Sequence, residues 1–194
     1  MPAEPDPVAV QPAPPARMET IARALMGAGS GGVLGLMLSG FAGRFAGQGL
    51  SAVWTVVLTA LFAGLLAWLN MRDRQPLPAA PPASLGVALT SGALLLTLAV
   101  FLAQSTFVQT LLARGEPVRT PLPIWPVSQA ALLLSLVLAA AGMVATFLGW
   151  AQSSRQKGKY LTGKWVGMAI LSAGAWAALA LACYVTGYGF DFAR

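Results

Sequence analysis

The stretch Leu85–Leu112 reads LGVALTSGALLLTLAVFLAQSTFVQTLL and contains no ionisable side chain. A bilayer hydrocarbon core about 30 Å thick takes about 20 residues of α-helix to cross, so this segment is longer than it needs to be. In lipid every backbone N–H and C=O must be satisfied within the protein, which leaves helices and closed barrels as spanning structures. The strict apolar–polar alternation of a barrel strand is absent here. The segment therefore reads as a transmembrane helix. Four more stretches of the same kind surround it: Ile21–Gly43, Leu50–Leu69, Ser128–Trp150 and Trp165–Tyr188. The sequence predicts an all-α integral membrane protein with five transmembrane helices.

These spans hold no Asp, Glu or Lys, and their one cation, Arg23, falls in the first turn of the first span. The chain has no His, and its single Cys183 lies inside the fifth span, so no disulfide can form within one chain. Cys183 reads as a small apolar filler. The groups that mark proton relays, haem ligands and metal sites in membranes are missing. No nucleophile–base pair, phosphate loop or Cys/His cluster is legible. The expectation is a protein that is not an enzyme, with no bound cofactor and no metal.

With 194 residues, 57% of them hydrophobic and 9% charged, the chain has no room for a separate soluble catalytic domain. The net charge of +6 comes from basic residues in short loops beside apolar helices. There they set orientation and meet anionic headgroups rather than nucleic acid. Twelve Lys and Arg, mostly Arg, with abundant Ala, Gly and Pro, are the composition of a GC-rich bacterial genome, which points to a bacterial inner membrane.

Four regions follow. Residues 1–20 are a Pro-rich tail, too poor in apolar residues to bury a core and expected to be disordered. A tail of that length, with prolines and Glu4 and Asp6 before a long span, is unlike a cleaved signal peptide. Residues 21–70 form a transmembrane hairpin joined by the short loop Arg44–Gly49. Residues 71–84, with Pro76, Pro78, Pro81 and Pro82, form a semi-rigid linker. Residues 85–194 form a three-helix unit, whose outer loop Ala113–Val127 carries four prolines and reads as an ordered, extended strap.

Orientation follows from the basic residues. Arg17, Arg23, Arg72, Arg74, Arg155, Lys157, Lys159 and Lys164 fall on one side, and Arg44, Arg114, Arg119 and Arg194 on the other. The excess of cations places the N-terminus in the cytoplasm and the C-terminus outside. Trp68, Trp150 and Trp165 then mark the inner interface, and Trp54, Trp125, Tyr184 and Tyr188 the outer one. Trp176 falls near mid-span and reads as a contact within the bundle. Arg155, Lys157, Lys159 and Lys164 make the last inner loop suited to anionic lipid or an acidic partner, or simply to fixing topology.

The sharpest local pattern is in the first span, where Gly27, Gly31, Gly35, Ser39, Gly43 and Gly47 recur every four residues. Small residues at that spacing let a second backbone come close, and dispersion and weak Cα–H contacts then hold the pair. The partner is either the second span of the same chain or a helix of another subunit or copy. In the third span Thr90, Thr97 and Gln104 recur at seven-residue spacing. They line a polar path, or Thr90 and Thr97 satisfy their hydroxyls on carbonyls of the preceding turn while Gln104 reaches the outer interface.

A wider pattern runs over about Leu50–Tyr188. The long helix Leu85–Leu112 leads to a Pro-rich outer loop ending at Pro126. Leu122-Pro123 comes before a helix rich in Leu and Ser (Leu132-Leu133-Leu134-Ser135). The basic loop Arg155–Lys164 then leads to a helix opening at Trp165. This order resembles haem-copper (cytochrome c) oxidase subunit III. The resemblance implies a two-plus-rest division of helices, a cytoplasmic N-terminus, packing against a catalytic subunit, and lipid held between the helix groups. The chain departs from the family in three ways. Ser128-Gln129 stands for the Asn-Thr after the Leu-Pro step, Gly92 stands where the long helix carries a carboxylate, and the last two helices have no counterpart. A proton-antenna role through that carboxylate is not carried over.

The function expected from sequence is a non-catalytic accessory subunit of a bacterial, respiratory electron-transfer complex. Its partners are other integral membrane subunits and phospholipids, with no nucleic acid. The alternative is a small transporter or channel component that homo-oligomerises through its glycine-rich first helix.

Overall fold

The computed structural model describes residues 17–45, 52–72, 81–155 and 162–188. Among them are five α-helices and no strand: α1 (Arg17–Phe45), α2 (Ala52–Arg72), α3 (Pro81–Ala113), α4 (Trp125–Arg155) and α5 (Thr162–Tyr188). Each is long and apolar enough to cross a membrane, and the protein is an all-α, multi-pass membrane protein. At 1.5 Å per residue α3 is about 50 Å long, so its ends stand clear of the hydrocarbon core.

α1, α3, α4 and α5 start earlier than their apolar stretches, and α2 starts later, at Ala52. α1 takes in Arg17–Thr20, four residues read from sequence as disordered tail, and so carries Glu19 as well as Arg23. Both side chains are buried, at 8% and 7% exposure. Arg23 therefore sits in the second turn of α1, not the first. α3 begins at Pro81, inside the stretch read as linker. Proline lacks an N–H, and the first turn of a helix has no internal acceptor for one, so Pro81 and Pro82 start the helix where they would break its middle. The rest of the tail, the loop at 46–51 and residues 73–80 lie outside the described residues.

Close contacts set the register of the bundle. A Cβ at Gly27 would meet Leu66, Ala67 and Asn70, and one at Gly35 would meet Leu58 and Thr59, so α1 and α2 run antiparallel. Gly86 faces Gly142 and Thr146, and Gly149 faces Ala83, so α3 and α4 are antiparallel too. α5 runs parallel to α3, with Ser172 beside Ser91, Cys183 beside Thr97 and Gly187 beside Gln104. α1 also runs parallel to α3, its Gly29 and Gly32 against Leu94 and Leu98. α3 is the hub, packing on α1, α4 and α5, while α2 packs on α1 and hardly touches α3.

Two apolar clusters fill the centre. One gathers Ala22, Ala83, Val87, Ala88, Trp165 and Ala169 near the N-terminal ends of α1, α3 and α5. The other joins Leu94, Leu98 and Leu179 farther along. At the opposite end the chain turns from α3 to α4 in an ordered loop. Gly115 has φ of 69°, Gly115 N–H donates to Leu112 O (3.0 Å) and Glu116 N–H to Leu111 O (3.0 Å). This pair of bonds is a Schellman cap, which needs a left-handed residue that glycine supplies without strain. Beyond it, Leu122 is buried and its N–H donates to Gly187 O at 2.8 Å, tying the loop to the end of α5.

Candidate functional site

The glycine face of α1 is a packing surface against α2 of the same chain. At Gly27, Gly31 and Gly35 a Cβ would collide with α2 backbone, including Leu58 O at 2.7 Å and Ala63 Cα at 2.9 Å. Ser39 continues this face, buried, its hydroxyl donating to Leu36 O at 2.7 Å. Gly43 is half-buried at the end of α1. Gly29 and Gly32, set between these positions, turn toward α3 instead. α1 thus uses two glycine faces to sit between two helices. Such an approach suits lipid surroundings, where packing, close backbone contact and hydrogen bonds drive association.

A second glycine contact, between α3 and α4, has no four-residue period in sequence to announce it. Gly86 on α3 meets Gly142 and Thr146 on α4, with Gly142 O 2.6 Å from where a Cβ on Gly86 would stand. Thr146 donates its hydroxyl to Gly142 O at 2.8 Å. Gly86, Gly142 and Gly149 look isolated in their own helices and become one surface only when the helices cross.

The polar residues of α3 face inward. Thr90, Ser91, Thr97 and Gln104 are fully buried. Thr90 donates to Gly86 and Val87 carbonyls (both 3.1 Å) and Thr97 to Ala93 O (2.9 Å), so their hydroxyls are spent on their own helix. Ser91 pairs with Ser172 of α5 at 3.3 Å, Trp176 donates its indole N–H to Ser135 of α4 at 3.0 Å, and the Cys183 thiol to Thr97 O at 3.6 Å. Gln104 does not reach the interface as an exposed group. It lies under Trp125 and Gly187, and neither amide atom has a partner.

The aromatic residues divide differently from their sequence positions. Trp54, Trp68 and Trp150 are more than half exposed, as belt residues should be, and Arg72 lies 5.3 Å over the Trp68 ring. Trp165 is buried among α1, α3 and α5, and Trp125 is buried beneath Tyr184 and Tyr188, 5.5 and 5.7 Å away. Of the basic loop residues, Lys164 is exposed in the first turn of α5 and Arg155 ends α4; Lys157 and Lys159 lie outside the described residues.

Two clefts open where helices barely touch. Because α2 leans on α1 and meets α3 only marginally, a cleft of about 680 Å³ lies between α2 and α3, lined by Val56, Ala99, Ala103, Thr106 and Thr110 and ending at Arg114. Because α1 and α5 share only marginal contact, a second cleft of about 370 Å³ lies between them over Leu94. Both are open, largely apolar slots, each with a few hydroxyls. Among the described residues no three His, Cys, Asp or Glu side chains gather at one place.

The fold and these surfaces define a polytopic helical membrane protein built on glycine contacts, with open clefts between its helices. Comparison with protein-family models, curated proteins and solved structures finds no match for the chain.

Proposed function

We propose that the protein is a non-catalytic accessory subunit of a bacterial inner-membrane complex, respiratory in kind, which packs on a catalytic subunit and binds lipid. In this reading the N-terminus is cytoplasmic and the C-terminus outside, and α1–α2 is a hairpin set against the α3–α5 unit. The resemblance of Leu50–Tyr188 to haem-copper oxidase subunit III points the same way.

The observation that carries the reading is the stance of α2. Only 6% of its spanning window is buried, against 56% for α3. It holds out Val53, Trp54, Leu61, Leu65 and Trp68 and stands off α3 across a cleft whose outer end carries Arg114. A slot of small and apolar side chains closed by a guanidinium fits a phospholipid, chain inside and phosphate at the rim. An exposed, rigidly backed helix is also a natural surface for another subunit. The transporter reading has less support. The hydroxyls of α3 are spent inside the bundle, and the α1 glycine face that would mediate homo-oligomers is covered by α2.

Mild-detergent purification of the full chain from its native membrane tests the proposal. Stoichiometric co-purification with cofactor-bearing membrane subunits is the expected result. A chain that migrates alone and drives solute flux in liposomes overturns it.

A further inference from the structure

The cleft between α1 and α5 changes chemistry along its length. Its deep part is walled by Met26, Ser30 and Val33 on α1 and by Met168, Ser172 and Ala175 on α5. Ser30 donates to Met26 O at 2.8 Å and Ser172 pairs with Ser91, so this part presents almost no free polarity. Toward the N-terminal ends of both helices, cations appear on the same faces. Side chains three, four and seven apart share a helix face. Lys164 therefore lies one turn beyond Met168 on α5, and Arg23 one turn beyond Met26 on α1. Lys164 is exposed and Arg23 is buried. Glu19, a further turn out on α1, offsets one of the two charges, and the rim stays net positive. The cluster that closes this end, which Met26 and Met168 pack against, contains Trp165, whose buried indole N–H has no acceptor.

Extending the lipid-binding reading above, we propose that this cleft is a second lipid site, distinct from the α2–α3 cleft. It takes one anionic glycerophospholipid from the leaflet at the N-terminal end of α5. The phosphate sits against Lys164 on the Arg23 side of the rim, and one acyl chain runs between Met26–Val33 and Met168–Ala175. The order cationic rim, then apolar slot, matches the order phosphate, then chain. A second helix would not fit, because α1 and α5 still touch one another beside the cleft.

The test uses the full chain in nanodiscs of phosphatidylglycerol, with native mass spectrometry and a phosphatidylglycerol probe bearing a diazirine in its acyl chain. Two retained lipids are expected, one in each cleft, and the one proposed here is marked by cross-links on Met26, Leu94, Met168 and Ala175. Ala175→Phe, which fills this slot, removes one of the two retained lipids together with those cross-links. Lys164→Gln, at an exposed position that folding does not need, weakens retention about fivefold, the effect of one basic residue at an anionic surface. Leu134→Phe on the lipid-facing side of α4 changes neither. Cross-links spread evenly over lipid-facing positions overturn the site. So does retention unchanged in both Ala175→Phe and Lys164→Gln, or displacement of the lipid by a neutral isoprenoid quinone. Partner co-purification is scored separately. Partners retained without this lipid sink the site alone, and lipid retained without partners sinks the accessory-subunit reading alone.

Discussion

α2 and α3 are about equally apolar, yet they occupy opposite places in the molecule. α3 is the hub, buried along more than half of its spanning window, and α2 is exposed along nearly all of its own. Hydropathy does not separate them, because lipid is as apolar as leucine and offers no gain for burying one apolar helix rather than another. What separates them is small and polar side chains. α3 carries Ala83, Gly86, Thr90, Ser91, Thr97 and Gln104 on its buried faces, whereas α2 shows bulky Val, Leu and Trp. Its one glycine, Gly64, has nothing within 4 Å of a Cβ position. In this bundle small and polar residues go inside, the reverse of a water-soluble core.

The contrast breaks first at the α3–α4 crossing. Gly142→Leu should cost more than about 3 kcal/mol, beyond the usual range for overpacking, because Gly86 O and the Thr90 amide are backbone and cannot move aside. Gly64→Leu on α2 should leave the melting temperature in detergent unchanged. Equal losses at the two positions would end the argument that contact, not hydropathy, sorts the helices.

Next in size is the α1–α2 contact. Gly31→Leu with Gly35→Leu should lower the amount of protein in the membrane, since these faces meet the chain's own backbone. Leu34→Ile with Met37→Leu, at exposed positions, should not. Normal accumulation of the glycine double variant together with loss of co-purifying subunits would move that face to an intersubunit role.

The buried amide sharpens the comparison further. Removing both polar atoms of an unsatisfied group is close to neutral or stabilising, so Gln104→Leu should keep or raise the unfolding midpoint. A drop of about 1 kcal/mol or more would mean that Gln104 is satisfied by bound water. The smallest expected loss belongs to the Trp176–Ser135 bond. Ser135→Ala should cost about 0.6 kcal/mol, the average for interhelical hydrogen bonds in membranes, read by reversible unfolding in mixed micelles.

Some parts of the site were legible in residue spacing and others were not. The four-residue run from Gly27 to Ser39 announced a close helix contact because one helix carries the whole pattern. Gly86, Gly142 and Gly149 announced nothing, since their surface is shared between two helices and neither shows a period. Trp165 read as a belt residue from its place at the start of a span, and the convergence of α1 and α3 on α5 buries it instead. The clefts had no sequence signal, because a gap exists only relative to the helices on either side of it.

Which described segments are long and apolar enough to cross a membrane, and roughly where each lies, can be read from the amino-acid sequence alone. Each of those is a transfer of one segment from water to lipid, and side-chain composition sets that free energy one segment at a time. The tertiary structure decided which helix is central, which glycines meet, where Gln104 and Trp165 are buried, and which gaps stay open. Those are properties of pairs of helices. In a solvent that does not reward apolar burial, pairs are chosen by the fit of two surfaces, and no single segment encodes that fit.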